Sequence, residues 1–261
     1  MTASITLALT PDVRYVLRIA DTCLIHAQRL TEWCGHAPVL EEDIALANLG
    51  LDLLGQARAL LSHAARLEGA DHDEDALAFL RDERDYFNLT LAELPLRRGG
   101  ADFADTQLRT FIIAAWLAPL WQGLSDSRDR DLAAIAGKAA KETRYHLEHA
   151  ADWVVRLGDG SDESARRMGA ALDRAWPYVA ELFDDDDVDA AAAESRLGPR
   201  ASALRAPWLC AIRPVFADAQ LSLPADSAFR SHGKRGTHSE HMGLLLAEMQ
   251  HLQRAYPGGI W

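Results

Sequence analysis

Two long stretches of helical periodicity, residues 40–67 and 131–157, constrain this chain more than any other feature. In the second, Leu132, Ile135, Ala139, Thr143, Leu147, Ala150, Val154 and Leu157 recur at the three- and four-residue steps that place side chains on one face of a helix. Glu142 and His146 border that apolar stripe, with His149 close by on the same side. The first stretch, LEEDIALANLGLDLLGQARALLSHAARL, is apolar almost all round its middle, so it needs burial on most sides. Asn48, Asp52 and Gln56 follow one another at steps of four and draw a narrow polar seam through it. Buried polar groups need partners, so these two helices must meet each other or something equally polar.

The remainder reads as helix too. Thr10, Pro11 and Asp12 supply a cap, a first-turn proline and a helix-start anion for a helix running to about Cys34. Asp21, Gln28 and Glu32 form its polar line. A charged helix is expected over residues 74–93, outside the core, and a buried one over 105–125, with Phe111, Ile112, Ala115, Trp116 and Leu120 inward. Further helices are expected over residues 162–183, where Pro177 would kink the chain, over 189–196 and over 202–221. A last helix ends at Pro257-Gly258-Gly259. The acidic run 184–187 reads as a solvated turn. Strand-like alternation of Val, Ile, Thr and Tyr is almost absent. The expectation is an all-α bundle of one domain, residues 1–261, with extra peripheral and C-terminal helices.

A di-iron carboxylate bundle places a Glu on each of two helices and a Glu-x-x-His on each of two others. Here the residue three after Glu142 is Tyr145, and His146 falls about 100° further round the helix. Residues 46–58 offer Asp52 and Gln56 but no imidazole, and 105–125 offer no central carboxylate. The set Asp21, Asn48, Asp52, Gln56, Glu142 and His146 therefore reads as a hydrogen-bonded polar core standing where a metal would stand. A mononuclear site on Glu142, His146 and His149 is the competing reading. Glu248 and His251 make the one correctly spaced Glu-x-x-His in the chain. The turn at residues 232–236, His-Gly-Lys-Arg-Gly, offers freed amides and two cations to a phosphate, or else a loop that meets a protein partner.

A formal charge of -12 with no basic cluster argues against nucleic acid. Cys23, Cys34 and Cys210 are sparse and unpaired in spacing, which suits reduced thiols in the cytoplasm. No basic leader opens the chain, and no uninterrupted apolar run approaches the roughly 20 residues that span a bilayer, so neither export nor membrane insertion is expected.

The segments RLTEWCGHAP at 29–38, LANLGLDLLGQAR at 46–58, LAFLRDERDYFNL at 77–89, KETRYHLEHAADW at 141–153 and GTHSEHMGLLLAEMQHLQRAYPGGIW at 236–261 together resemble a known family. It comprises the C subunits of the bacterial ring-1,2-phenylacetyl-CoA epoxidases, multicomponent oxygenases of phenylacetate degradation. The resemblance implies a ferritin-like fold and a complex with a catalytic A subunit and the other epoxidase components. It also implies that the di-iron centre, and most of the contact with phenylacetyl-CoA, belong to that partner. No cofactor and no catalytic residue then falls to this chain. Arg254, Tyr256 and Trp261, an arginine and two aromatics at the end of the chain, are candidate interface residues. A ferritin-like metalloprotein with its own iron site, acting as an oxygenase or in metal storage, is the alternative.

Overall fold

The first helix, α1 (Pro11–Thr31), begins where its sequence says it should: the Thr10 hydroxyl accepts from the Val13 amide at 3.3 Å and Pro11 occupies the first turn. The computed structural model describes residues 4–96 and 101–259. After α1 the chain reverses and enters α2 (Leu40–Glu68), which ends on Gly69 at φ 75, a left-handed conformation suited to glycine. The second pair is α5 (Phe103–Leu124), opened by a reciprocal Asp102 and Asp105 cap, and α6 (Arg130–Gly158), capped by Asp129. Between the pairs lie two short helices, α3 (Glu74–Phe79) and α4 (Thr90–Glu93).

Contacts between side chains fix how the four long helices are arranged. Cys23 of α1 meets Gln56 of α2, Trp121 of α5 donates to Thr143 of α6 at 3.0 Å, Gln56 bonds Glu142 of α6, and His26 of α1 lies 3.4 Å from Thr110 of α5. The helices thus close a four-membered ring with α2 beside α6 and α1 beside α5. Trp33, Phe103 and Trp153 plug one end of it with edge-to-face contacts at 5.7 and 5.0 Å. One continuous apolar core draws residues from α1 through the last helix. Among the described residues there is no strand, only an isolated bridge between His232 and Thr237. The fold is all-α.

Around the ring run α7 (Asp162–Ala175), a 3-10 stretch (Trp176–Phe183), α8 (Asp187–Glu194), α9 (Arg205–Asp218) and α10 (Glu240–Ala255). Pro177 marks not a kink but the change from α to 3-10 winding. By length and hydropathy α2 is a helix that would pass for a membrane span, although it holds no uninterrupted apolar run; 44% of its most apolar window is buried.

The segment expected as an outer helix over residues 74–93 is the main departure. It breaks after α3 into a 3-10 turn (Glu83–Asp85) and extended chain before α4, and it enters the core: Arg81, Tyr86, Asn88 and Glu93 are fully buried. The cause is Asp21. Its carboxylate, fully buried in α1, takes both terminal nitrogens of Arg81 and the backbone amide of Phe87 at 2.8 Å. A charged helix could not satisfy those groups, whereas an open segment lays its backbone against them.

Candidate functional site

The polar seam forms where α2 and α6 lie side by side. Gln56 donates to the Glu142 carboxylate at 3.0 Å and faces the Cys23 thiol at 3.7 Å; His146 Nε2 is 3.0 Å from Asp52 Oδ2. The four-residue step that aligned Asp52 and Gln56 in the sequence is what sets them against Glu142 and His146, likewise four apart on α6. Lys138 lies 3.5 Å from the other oxygen of Glu142. His146 is buried, and burial holds its ring below the ordinary imidazole range, opposed by the Asp52 hydrogen bond and charge. Deeper in the bundle, burial pushes His26 down to about 3, so that ring is neutral at physiological pH. Burial likewise raises the Cys23 thiol far above its ordinary range, which leaves it inert.

Of the six residues expected to share this core, four do. Asn48 is exposed on the outer side of α2, one turn before Asp52. Asp21 is fully buried, but its partners are Arg81 and Phe87 rather than the seam. The rest pair in twos, an amide with a carboxylate and an imidazole with a carboxylate. No carboxylate is placed to bridge two cations, and α5 turns Ile112, Ile113 and Thr110 into the interior where a fourth acidic helix would be needed. Among the described residues no group of three or more His, Cys, Asp or Glu gathers in a way that would hold a metal ion. His149 stands 3.1 Å from Glu42 without hydrogen-bond alignment. Glu248 and His251 are exposed on α10.

A second polar system has no counterpart among the sequence-based expectations. Glu93 and Glu181, both buried, stitch the chain after α9 onto the bundle. Glu93 accepts from Ser239 N at 2.6 Å and Asn88 Nδ2 at 3.0 Å, and meets His238 Nδ1 at 2.8 Å. Glu181 accepts from the amides of Thr90 at 3.0 Å and Lys234 at 2.9 Å and from the Ser231 hydroxyl at 2.7 Å. The turn at 232–236, expected to offer its amides and cations to a phosphate or a partner, instead turns the Gly233 and Lys234 amides and the Lys234 ammonium inward to groups of this chain. Gly233 and Lys234 are buried, and the Lys234 ammonium bonds the Asp184 carbonyl and lies 3.4 Å from Asp189. The acidic run is not a solvated turn either. Asp186 caps α8 and pairs with Arg18, while Asp184 pairs with Arg235 at 2.9 Å. The sequence signal was present as charge complementarity between 184–189 and 234–235, fifty residues apart and without helical spacing to connect them.

Of the candidate interface residues, Arg254 is engaged within the chain, donating to Gln250 and to the Arg81 carbonyl at 2.8 Å each. Tyr256 is exposed, and Trp261 lies outside the described residues. A surface cleft of about 350 Å³ lies well away from the seam, floored by Trp176, Phe183 and Trp208 and edged by Arg205 and Arg213.

A four-helix ring with a self-paired polar seam defines a ferritin-like protein, and this chain belongs to the family of phenylacetic acid catabolic proteins, which it matches over residues 2–261. Within that family it is 50% identical over 247 residues to the C subunit of the 1,2-phenylacetyl-CoA epoxidase of Escherichia coli strain K12. The match covers 95% of this chain and 98% of that relative.

Proposed function

We propose that this chain is the non-catalytic structural subunit of a phenylacetyl-CoA epoxidase, serving ring epoxidation in aerobic phenylacetate catabolism. It binds and stabilises the A subunit, which carries the di-iron centre and most of the contact with phenylacetyl-CoA. It has no metal of its own and works in the cytoplasm, a setting that suits its three free cysteines. The observation that carries the reading is the closed pairing of the seam. The carboxylates that a metal would recruit there are engaged by neighbours, Glu142 by Gln56 and Asp52 by His146.

The test is metal analysis of the purified chain together with the variant Glu142→Ala. The expected result is no stoichiometric iron. The variant is expected to melt earlier, at a cost of about 1 kcal/mol for the lost hydrogen bond, while the reconstituted epoxidase keeps its turnover per assembled complex. Near two irons per chain, or an intact complex whose chemical step fails in the variant, would overturn the reading in favour of a metalloprotein with its own site.

A further inference from the structure

One side of α9 opens onto the surface cleft that it forms with the 3-10 stretch. Arg205, Trp208, Leu209 and Arg213 line the cleft at the three- and four-residue steps that share a helix face, so an apolar middle is flanked by a guanidinium at each end. The 3-10 stretch adds Trp176 and Phe183, whose ring centroids lie 6.1 and 5.1 Å from that of Trp208. Both indole N–H groups are committed within the chain: Trp208 Nε1 donates to the Ile112 carbonyl at 3.1 Å and Trp176 Nε1 to the Ala225 carbonyl at 2.8 Å. The floor therefore offers a ligand aromatic carbon surface held in a fixed geometry.

The rim is cationic on a chain whose formal charge is -12. Arg205, Arg213 and Arg230, all exposed, line it together with Asp184 and Asp226. Both aspartates are already matched: Asp226 accepts from Arg205 at 2.7 and 2.8 Å, and Asp184 pairs at 2.9 Å with Arg235, which is not part of the cleft. Arg230 donates only to the Ser227 and Phe229 carbonyls, and Arg213 has neither hydrogen bond nor ion pair among the described residues. Two guanidiniums thus stand beside an aromatic floor without a counter-charge. A guanidinium is a planar fork of donors that matches carboxylate or phosphate oxygens two at a time. The volume of about 350 Å³ lies at the low end of the range for small-molecule sites, and the negative charge of the whole chain disfavours an extended polyanion.

We propose that this cleft binds a small aromatic acid, with its ring on the Trp208 floor and its anionic group held by Arg213 and Arg230. A carboxylate and a phosphate meet the same requirement, so the two sources are an aryl carboxylate and a mononucleotide. The segment 223–230 forms the outer wall, fastened to the bundle through Trp176 and Arg205. The site goes beyond the structural role proposed above and stands whether or not this chain stabilises an A subunit.

The experiment is calorimetric titration of the full chain with phenylacetate and with AMP, each beside its uncharged counterpart, phenylacetamide and adenosine. Arg213→Gln removes the unpaired cation, and Ala180→Phe fills the cleft from a half-buried lining position. Arg144→Gln, exposed on α6, is the control. Both arginines are at the surface, so their variants should melt with the wild type, and Arg213→Gln decides the matter even if Ala180→Phe loses stability. The expected result is a Kd of about 0.1–1 mM for one of the two acids. Binding should be at least ~10-fold weaker for the uncharged counterpart and for Arg213→Gln, absent in Ala180→Phe, and unchanged in the control. Tighter binding of phenylacetate assigns the carboxylate, and tighter binding of AMP the phosphate. The proposal is overturned if neither acid binds below ~5 mM, if the uncharged counterpart binds as tightly as the acid, or if Arg213→Gln binds as tightly as wild type.

Discussion

Asp21 shows how much one buried charge decides. Both it and Arg81 are fully buried, so each charge is balanced only by the other and by the hydrogen bonds around them. Replacing one partner strands the other. Asp21→Ala is expected to destabilise the chain by about 3–5 kcal/mol, read as a lower urea midpoint. The double variant Asp21→Leu, Arg81→Met should recover much of that loss, because it removes both charges. A single variant with wild-type stability would show that the pair does not hold the 80–90 segment in the core. The seam behaves otherwise. The Asp52 side chain is 40% exposed and Glu142 is open enough to reach Lys138, so solvent shares the cost when either loses its partner.

At the scale of elements, α1, α2, α5 and α6 form because apolar spacing, caps and propensity agree, whereas the strap 231–239 has almost no regular structure of its own. It holds by hydrogen bonds to two buried carboxylates, and by close approach. A methyl group added at Gly233 would lie 2.5 Å from the Asn88 carbonyl and 2.7 Å from the Thr90 hydroxyl. Gly233→Ala is therefore expected to push the strap off α4 and break the bonds from Gly233 N to Thr90 and from Lys234 N to Glu181. Loss of those two bonds, at about 1 kcal/mol each, should appear as faster amide exchange across residues 231–239 with the four long helices still protected. Equal loss of protection everywhere would mean that the strap and the bundle open as one unit.

For the whole molecule the buried imidazoles set the response to pH. His26 falls from 6.5 to about 3 because burial disfavours its charged form, and His146 is lowered for the same leading reason. The unfolded chain therefore binds more protons below pH 6.5, and stability drops as pH falls, by about 1.4 kcal/mol per pH unit for His26 alone. His238 works in the opposite sense. Burial would lower it, but the hydrogen bond and charge of Glu93 raise it overall, so its contribution is complete below pH 6.5 and fades as pH rises through its raised pKa. Stability should thus peak near neutrality. His26→Gln should flatten the acid limb of Tm against pH, and His238→Gln the alkaline limb. An unchanged acid limb in His26→Gln would mean that the ring titrates freely in the native state.

The sequence by itself determined the helical class and the four long helices, and it aligned Asp52 with Gln56 on one helix and Glu142 with His146 on another, while the family was legible as a resemblance of whole segments. The helices and those alignments rest on spacing within one helix, where neighbours in space are three or four residues apart in the chain. Only the tertiary structure decided that Asp21 serves Arg81, that Asn48 looks outward, that residues 80–90 run open through the core, and that the basic turn at 232–236 is an internal clasp. Those outcomes depend on partners 45 or more residues away, for which no local period exists. A lone aspartate or lysine has the same local pattern whether water or a buried counter-charge awaits it. Which one it meets is settled by how the helices pack.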